Sequence, residues 1–125
     1  MAEAATAKLE YLVPMAPVAD VQRSIAFYEQ LGFEVENTFD EDGVLHWAYL
    51  RNGGAQLMLS RSDSPVPPAR QTMQIYVYAV DVVAFHRELR EKGLDVGPLE
   101  RRFYMESGEF ELRDPDGYCL FVGHV

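Results

Sequence analysis

The chain has 125 residues, 48% of them hydrophobic, enough to bury one compact core. With 20 acidic residues against 11 basic ones the net charge is −9, which repels nucleic-acid phosphates and excludes nucleic acid as a partner. No run of 18 apolar residues occurs, so a membrane span is not expected, and Met1 to Ala7 lack the basic-then-apolar order of a secretory signal. The single cysteine, Cys119, has no internal disulfide partner, which suits a reducing, cytoplasmic setting.

In chain order, "YLVPMAPV" (residues 11–18) reads as an extended apolar segment. "DVQRSIAFYEQLG" follows as a helix, with Asp20 suited to the N-cap, Val21, Ile25 and Tyr28 on one stripe, and Gly32 closing it. A short strand at Phe33–Val35 comes next, then two strands around the turn Asn52-Gly53-Gly54. "SRSDSPVPPAR" (60–70) is polar and proline-rich and reads as a flexible linker. "MQIYVYAV" (73–80) is the next extended segment, and "DVVAFHRELREKG" the next helix, with Val82, Phe85 and Leu89 on its stripe. A strand at Leu94–Val96 and two strands around Asp114-Pro115-Asp116-Gly117 complete the chain; Pro and Gly at these positions specify a turn.

The order βαβββ therefore occurs twice, with Asp81 lying 61 positions after Asp20. One domain is expected over 1–125, with a first module at about 8–60, a linker at about 61–71 and a second module at about 72–125. The fold class is α+β: two tandem βαβββ modules forming a curved, cup-like mixed sheet with helices outside.

Strand parity divides the side chains. Core positions facing the helices should be continuously apolar, as Ala48, Leu50, Leu57, Leu59, Ile75, Val77, Ala79, Phe110, Leu112, Leu120 and Val122 are. Their neighbours then face away from the helices: Trp47, Tyr49, Arg51, Gln56 and Met58 in the first module, and Gln74, Tyr76, Tyr78, Glu109, Glu111, Arg113, Cys119 and Phe121 in the second. Val13 and Met15 share that side on the first strand.

Paired βαβββ units carrying "PVADVQRSIAFYEQLGFEV" early and "EFELRDPDGYCLFVGH" late resemble the vicinal oxygen chelate superfamily, from about Leu12 to His124. That superfamily includes glyoxalase I, extradiol dioxygenases, fosfomycin-resistance enzymes and bleomycin-resistance proteins. The resemblance implies a cup built from both modules. It also implies that a metal enzyme would carry His, Gln or Glu at four cup positions. By the repeat, and by counting four residues past each turn glycine, these are Val13, Met58, Gln74 and Phe121. A divalent cation needs three or more nitrogen or oxygen donors, and Val, Met and Phe supply none. No metal and no cofactor are therefore expected, and no catalytic residue is assigned.

Other chemistry finds little support. His46, His86 and His124 come from three unrelated elements; His86 reads as a solvated helix residue and His124, beside the C-terminus, as a frayed or dimer-contact residue. Glu109 and Glu111 lie two apart on one strand without the partner that acid–base work requires. What remains is an aromatic and thioether lining, suited to stacking on a flat cationic ligand that the two glutamates would pair with. Trp47, Tyr49, Met58, Gln74, Tyr76, Tyr78, Phe103, Tyr104, Glu109, Glu111 and Phe121 form the expected ligand site.

The pattern is most similar to the bleomycin-resistance type, departing from it at Gly108, where such members often carry Arg before Glu-Phe. The resulting expectation is a metal-free, cytoplasmic homodimer that sequesters an aromatic, cationic small molecule without chemistry. The alternative is a glyoxalase-like metal-dependent lyase or isomerase, or a dioxygenase, of the same superfamily.

Overall fold

The computed structural model describes residues 9–64 and 67–125. Strand β1 (Met15–Val18) leads into helix α1 (Val21–Gln30) and the strands β2 (Glu34–Glu41), β3 (Val44–Asn52) and β4 (Ala55–Arg61). After a 3₁₀ turn at Pro68–Arg70 the order repeats as β5 (Gln74–Ala79), α2 (Val82–Glu91), β6 (Glu100–Arg102), β7 (Met105–Arg113) and β8 (Cys119–His124). The strands form two four-stranded sheets, ordered β1-β4-β3-β2 and β5-β8-β7-β6. In each, the first and last strands of the module pair in parallel and the rest are antiparallel.

The helices start where the sequence places their caps. The Asp20 carboxylate accepts the Arg23 N–H at 3.1 Å, and the Asp81 carboxylate accepts the Ala84 N–H at 3.0 Å, each satisfying one of the amides a helix start leaves open. Helix α1 buries Val21, Ser24, Ile25 and Tyr28, and α2 buries Val82 and Leu89. Ala48, Leu50, Leu57 and Leu59 on one sheet, and Phe110, Leu112, Leu120 and Val122 on the other, are buried on the helix-facing side. Each fully buried large side chain contributes about 1.5–3 kcal/mol.

Two strands differ from the sequence pattern. Strand β2 runs on to Glu41, far beyond Val35, although all eight of its residues are exposed. Its ladder with β3 defines it, and an edge strand with neither face buried carries no apolar alternation to read. Its acidic residues also discourage pairing with a further strand. In the second module Leu94–Val96 is not a strand; Val96 makes a single bridge to Leu112, and the edge is the short β6. Pro98 lacks the N–H that a ladder would need there.

The two modules are joined through the Asp114–Gly117 turn. Asp114 Oδ1 accepts the N–H groups of Asp116 and Tyr118, each at 2.9 Å, while Oδ2 accepts the Tyr28 hydroxyl at 2.7 Å. Asp116 accepts the Ala19 N–H at 2.9 Å and the Ser24 hydroxyl at 3.3 Å, with Arg23 at 3.6 Å. The Tyr118 hydroxyl donates to the Pro17 carbonyl at 2.8 Å. Burial pushes the Asp114 carboxyl above its usual range, partly offset by the Tyr28, Tyr118 and Asp116 donors. Burial likewise raises the Tyr28 phenol, reinforced by Asp114.

The proline-rich connection is held where it is described. Strand β4 extends to Arg61, and Pro68 packs so closely on Gly117 that a Cβ there would meet the Pro68 Cα at 2.7 Å. The flexible linker expected over 60–70 is thus structured at both of its ends.

Candidate functional site: two aromatic sheet faces

Period-2 alternation turns Trp47, Tyr49 and Met58 to the face of the first sheet away from α1, all three half-buried. The Trp47 indole N–H donates to Met58 Sδ at 3.3 Å, and the Trp47 and Tyr49 rings meet edge-on at 6.4 Å. The Tyr49 hydroxyl bonds Gln56, and the Arg51 guanidinium lies 5.9 Å from the Tyr49 ring centre.

The second sheet carries a three-ring stack. Tyr76 lies between Tyr78, at 5.2 Å and 29°, and Phe121, at 5.7 Å and 19°. Parallel pairing of β5 with β8 places Tyr76 and Phe121 side by side, and Tyr78 follows two residues along β5. Tyr76 and Tyr78 nevertheless remain 39% and 61% exposed.

Behind this stack sits Glu109, only 5% exposed. Its carboxylate accepts the Tyr76 hydroxyl on Oε1 and the Tyr104 hydroxyl on Oε2, the latter at 3.0 Å, with Arg102 Nε at 3.9 Å. A buried carboxylate is stable only with such donors. Burial and the Glu109 bond both raise the Tyr76 phenol; the Glu109 bond is the main reason the Tyr104 phenol rises. Glu111 takes no part in this cluster. It is exposed and lies 3.6 Å from Cys119 Sγ, whose thiol is raised first by burial and then by that contact. Gln74 is exposed at the start of β5, and Phe103, 94% exposed at the β6–β7 turn, meets Tyr104 edge-on at 5.2 Å.

The expected site residues thus fall into two groups. Among the described residues no hydrogen bond, ring contact or ion pair joins Trp47, Tyr49 and Met58 to Tyr76, Tyr78 and Phe121. Parity missed Arg102, because the short β6 carries no periodicity that would mark it as the cation behind Glu109.

The register gives two of the four corner positions other cross-strand neighbours. Val13 precedes β1, and the register sets Met15, not Val13, beside Met58, and Tyr76, not Gln74, beside Phe121. Two thioethers, a phenol and a phenyl ring do not fit a divalent metal any better than the set read from the sequence. Among the described residues no three His, Cys, Asp or Glu side chains are grouped to hold a metal ion.

The histidines have structural contacts. His86 is not a solvated helix residue: its Nε2 lies 2.8 Å from the Gly97 carbonyl and its ring packs edge-on against Phe110 at 4.8 Å. His124 is not frayed, since its Nδ1 accepts the Val82 N–H at 3.4 Å at the start of α2. His46 lies 4.0 Å from Glu41 and its ring meets Phe39 edge-on.

The family profile described as "Glyoxalase/Bleomycin resistance protein/Dioxygenase superfamily" matches residues 8–120. The chain belongs to that superfamily. Among solved structures it is similar to a bleomycin-binding protein complexed with bleomycin, at 22% identity and TM-score 0.77, over 94% of this chain and 99% of that one. A bleomycin resistance determinant encoded on the transposon Tn5 gives 22% identity and TM-score 0.77, over 93% and 98%. The bleomycin-binding protein of bleomycin-producing Streptomyces verticillus, complexed with copper(II)-bleomycin, gives 23% and 0.74, over 96% and 99%. At these identities the likeness is one of fold. No curated protein matches the chain in sequence.

Proposed function

We propose that the protein binds an aromatic, cationic small molecule of the antibiotic kind and sequesters it unchanged, without metal or cofactor. The Tyr78–Tyr76–Phe121 stack, backed by the buried Glu109 carboxylate, carries this reading. Exposed ring faces attract a flat cation, and a carboxylate bonded to the central phenol makes that ring more electron-rich. The solved relatives that bind bleomycin support the same class of ligand. A reduced Cys119 suits a cytoplasmic role.

The working unit in this proposal is a homodimer. The Trp47 and Tyr76 sheet faces are both open, with Met15 and Tyr78 exposed on them. A two-fold partner would bring the Trp47 face of one copy to the Tyr76 face of the other. The modules that exchange faces are those read at about 8–60 and 72–125.

Calorimetric titration of the metal-stripped protein with bleomycin tests the proposal. The expected result is saturable binding of one bleomycin per chain, with the antibiotic recovered unaltered by mass spectrometry. Light scattering at micromolar concentration is expected to give the mass of two chains. Stoichiometric divalent metal in the purified protein together with turnover of the bound compound would replace this reading with the glyoxalase-like one.

A further inference from the structure

The two ends of the module junction are related by the chain's internal repeat but are not filled alike. At one end Tyr118 and Asp116 close the open edge of β1. The Tyr118 ring is buried, its hydroxyl reaches the Pro17 carbonyl, and Asp116 accepts the Ala19 N–H. The repeat of 61 residues maps Pro17 onto Tyr78 and Ala19 onto Val80, at the end of β5. The register sets Met58 beside Met15 and Phe121 beside Tyr76, so β8 lies 63 positions after β4 and Tyr118 corresponds to Ala55. Alanine therefore stands where the tyrosine would be, and Gly53 stands where Asp116 would be.

A groove of about 750 Å³ lies at that second end. Leu31, Phe33 and Ala55 wall it from the first module and Phe85 and Val122 from the second. Tyr76 and Tyr78 border it, and Asn52, Asp81 and Glu88 add polar groups to its lining. The β5 edge runs along it. Ala79 O accepts the Val125 N–H on the β8 side, so by the alternation of a parallel strand the peptide groups of Tyr78 and Val80 face the opposite way, along the groove. The Tyr118 and Asp116 side chains that satisfy their counterparts on β1 are replaced at the equivalent positions by Ala55 and Gly53.

We infer that this groove, at the β5 edge between the modules and beside the Tyr76 face, is a second small-molecule site, and that it takes a phenol. The chain supplies the template itself: at the related end the space holds a phenol ring whose hydroxyl donates to a strand-edge carbonyl. A ligand with a planar ring and one donor at its far end fills the groove, donating to the Tyr78 carbonyl while the ring packs on Phe33, Ala55 and Phe85. A ring without a donor is held by burial alone and leaves the carbonyl unbonded. The site does not rest on the antibiotic-binding proposal.

Amide NMR of the intact protein, titrated with para-cresol and with its methyl ether, tests this. Para-cresol is expected to shift the Ala55, Tyr78 and Val80 amides saturably, and the ether to bind about tenfold more weakly for want of the donor. Ala55→Tyr supplies the ring from within the chain and is expected to raise Tm and abolish para-cresol binding. Should that variant not fold, Ala84→Leu narrows the groove from α2 and is expected to weaken binding in the same way. Trp47→Ala, on the other face, is expected to leave para-cresol binding unchanged, which separates a failure here from a failure of the antibiotic site. Absence of saturable shifts at the groove, equal affinity for phenol and ether, or undiminished binding by the filled variants would overturn the inference. So would groove amides that respond to protein dilution rather than to para-cresol, which would show a second copy covering them.

Discussion

The Tyr28 hydroxyl of α1 donates to Asp114 Oδ2 at 2.7 Å across 86 residues of sequence, so a helix of the first module caps the turn of the second. Burial holds the Asp114 carboxyl above its ordinary value, and the phenol is the first of the donors that resist this rise. A carboxyl raised in the folded state stabilises the fold below its unfolded value and loses that contribution as pH rises through the folded value. Tyr28→Phe removes a donor and raises Asp114 further. The expected loss at neutral pH is about 1–3 kcal/mol. Denaturant titrations of both proteins should show the gap narrowing in acid, where Asp114 is protonated in each, and widening as pH rises.

Gly117 has φ +90 and faces Pro68, whereas Gly53 has φ +58 and open space, with nothing within 4 Å of the point a Cβ would occupy. Gly53→Ala should therefore cost only the left-handed backbone term, about 1 kcal/mol. Gly117→Ala adds a collision with backbone and should cost clearly more, read as a larger drop in the urea midpoint. Equal losses would mean that the Pro68–Arg70 turn is free to move off the β7–β8 turn.

Trp47→Ala and Tyr76→Ala each remove a ring from an open sheet face while leaving the helix-facing core intact. Bleomycin affinity should fall by about 1–3 kcal/mol in each, the scale of a stacking or cation–π contact with its buried area. Circular dichroism should stay unchanged. A variant that unfolds while its folded fraction binds normally would reassign that ring to the core.

Glu109→Gln keeps the shape of the carboxylate and removes its charge. Both phenols bonded to it, Tyr76 and Tyr104, should then ionise at lower pH, because each is raised in part by Glu109. Phenolate absorbance in a pH titration reads this directly. Tyr104 should move nearer its ordinary value than Tyr76, because burial is the leading cause of the Tyr76 shift and survives the substitution. Binding of a cationic ligand should weaken more than binding of a neutral one of the same shape.

The sequence by itself determined the repeat, the helix boundaries and the division of side chains between two faces. These follow from local rules: Asp20 and Asp81 cap because a helix start needs an acceptor, and Leu57, Leu59, Leu120 and Val122 share a face because a strand alternates every two residues. Edge strands escaped those rules. Glu34–Glu41 is a strand only because β3 lies beside it, and Leu94–Val96 is not one because Pro98 interrupts the ladder.

Only the tertiary structure decided which side chains meet. Parity put Glu109 and Glu111 on one face as equals, yet packing buried the first against Tyr76 and Tyr104 and left the second exposed. The strand register set Met15 beside Met58 and Tyr76 beside Phe121, pairings between β1 and β4 and between β5 and β8 that alternation alone does not specify. The bonds from Tyr28 to Asp114 and from Tyr118 to Pro17 join residues that no local period relates. The open groove at Ala55 follows from the same cause, since it exists only where one module lies against the other without a tyrosine to fill the space.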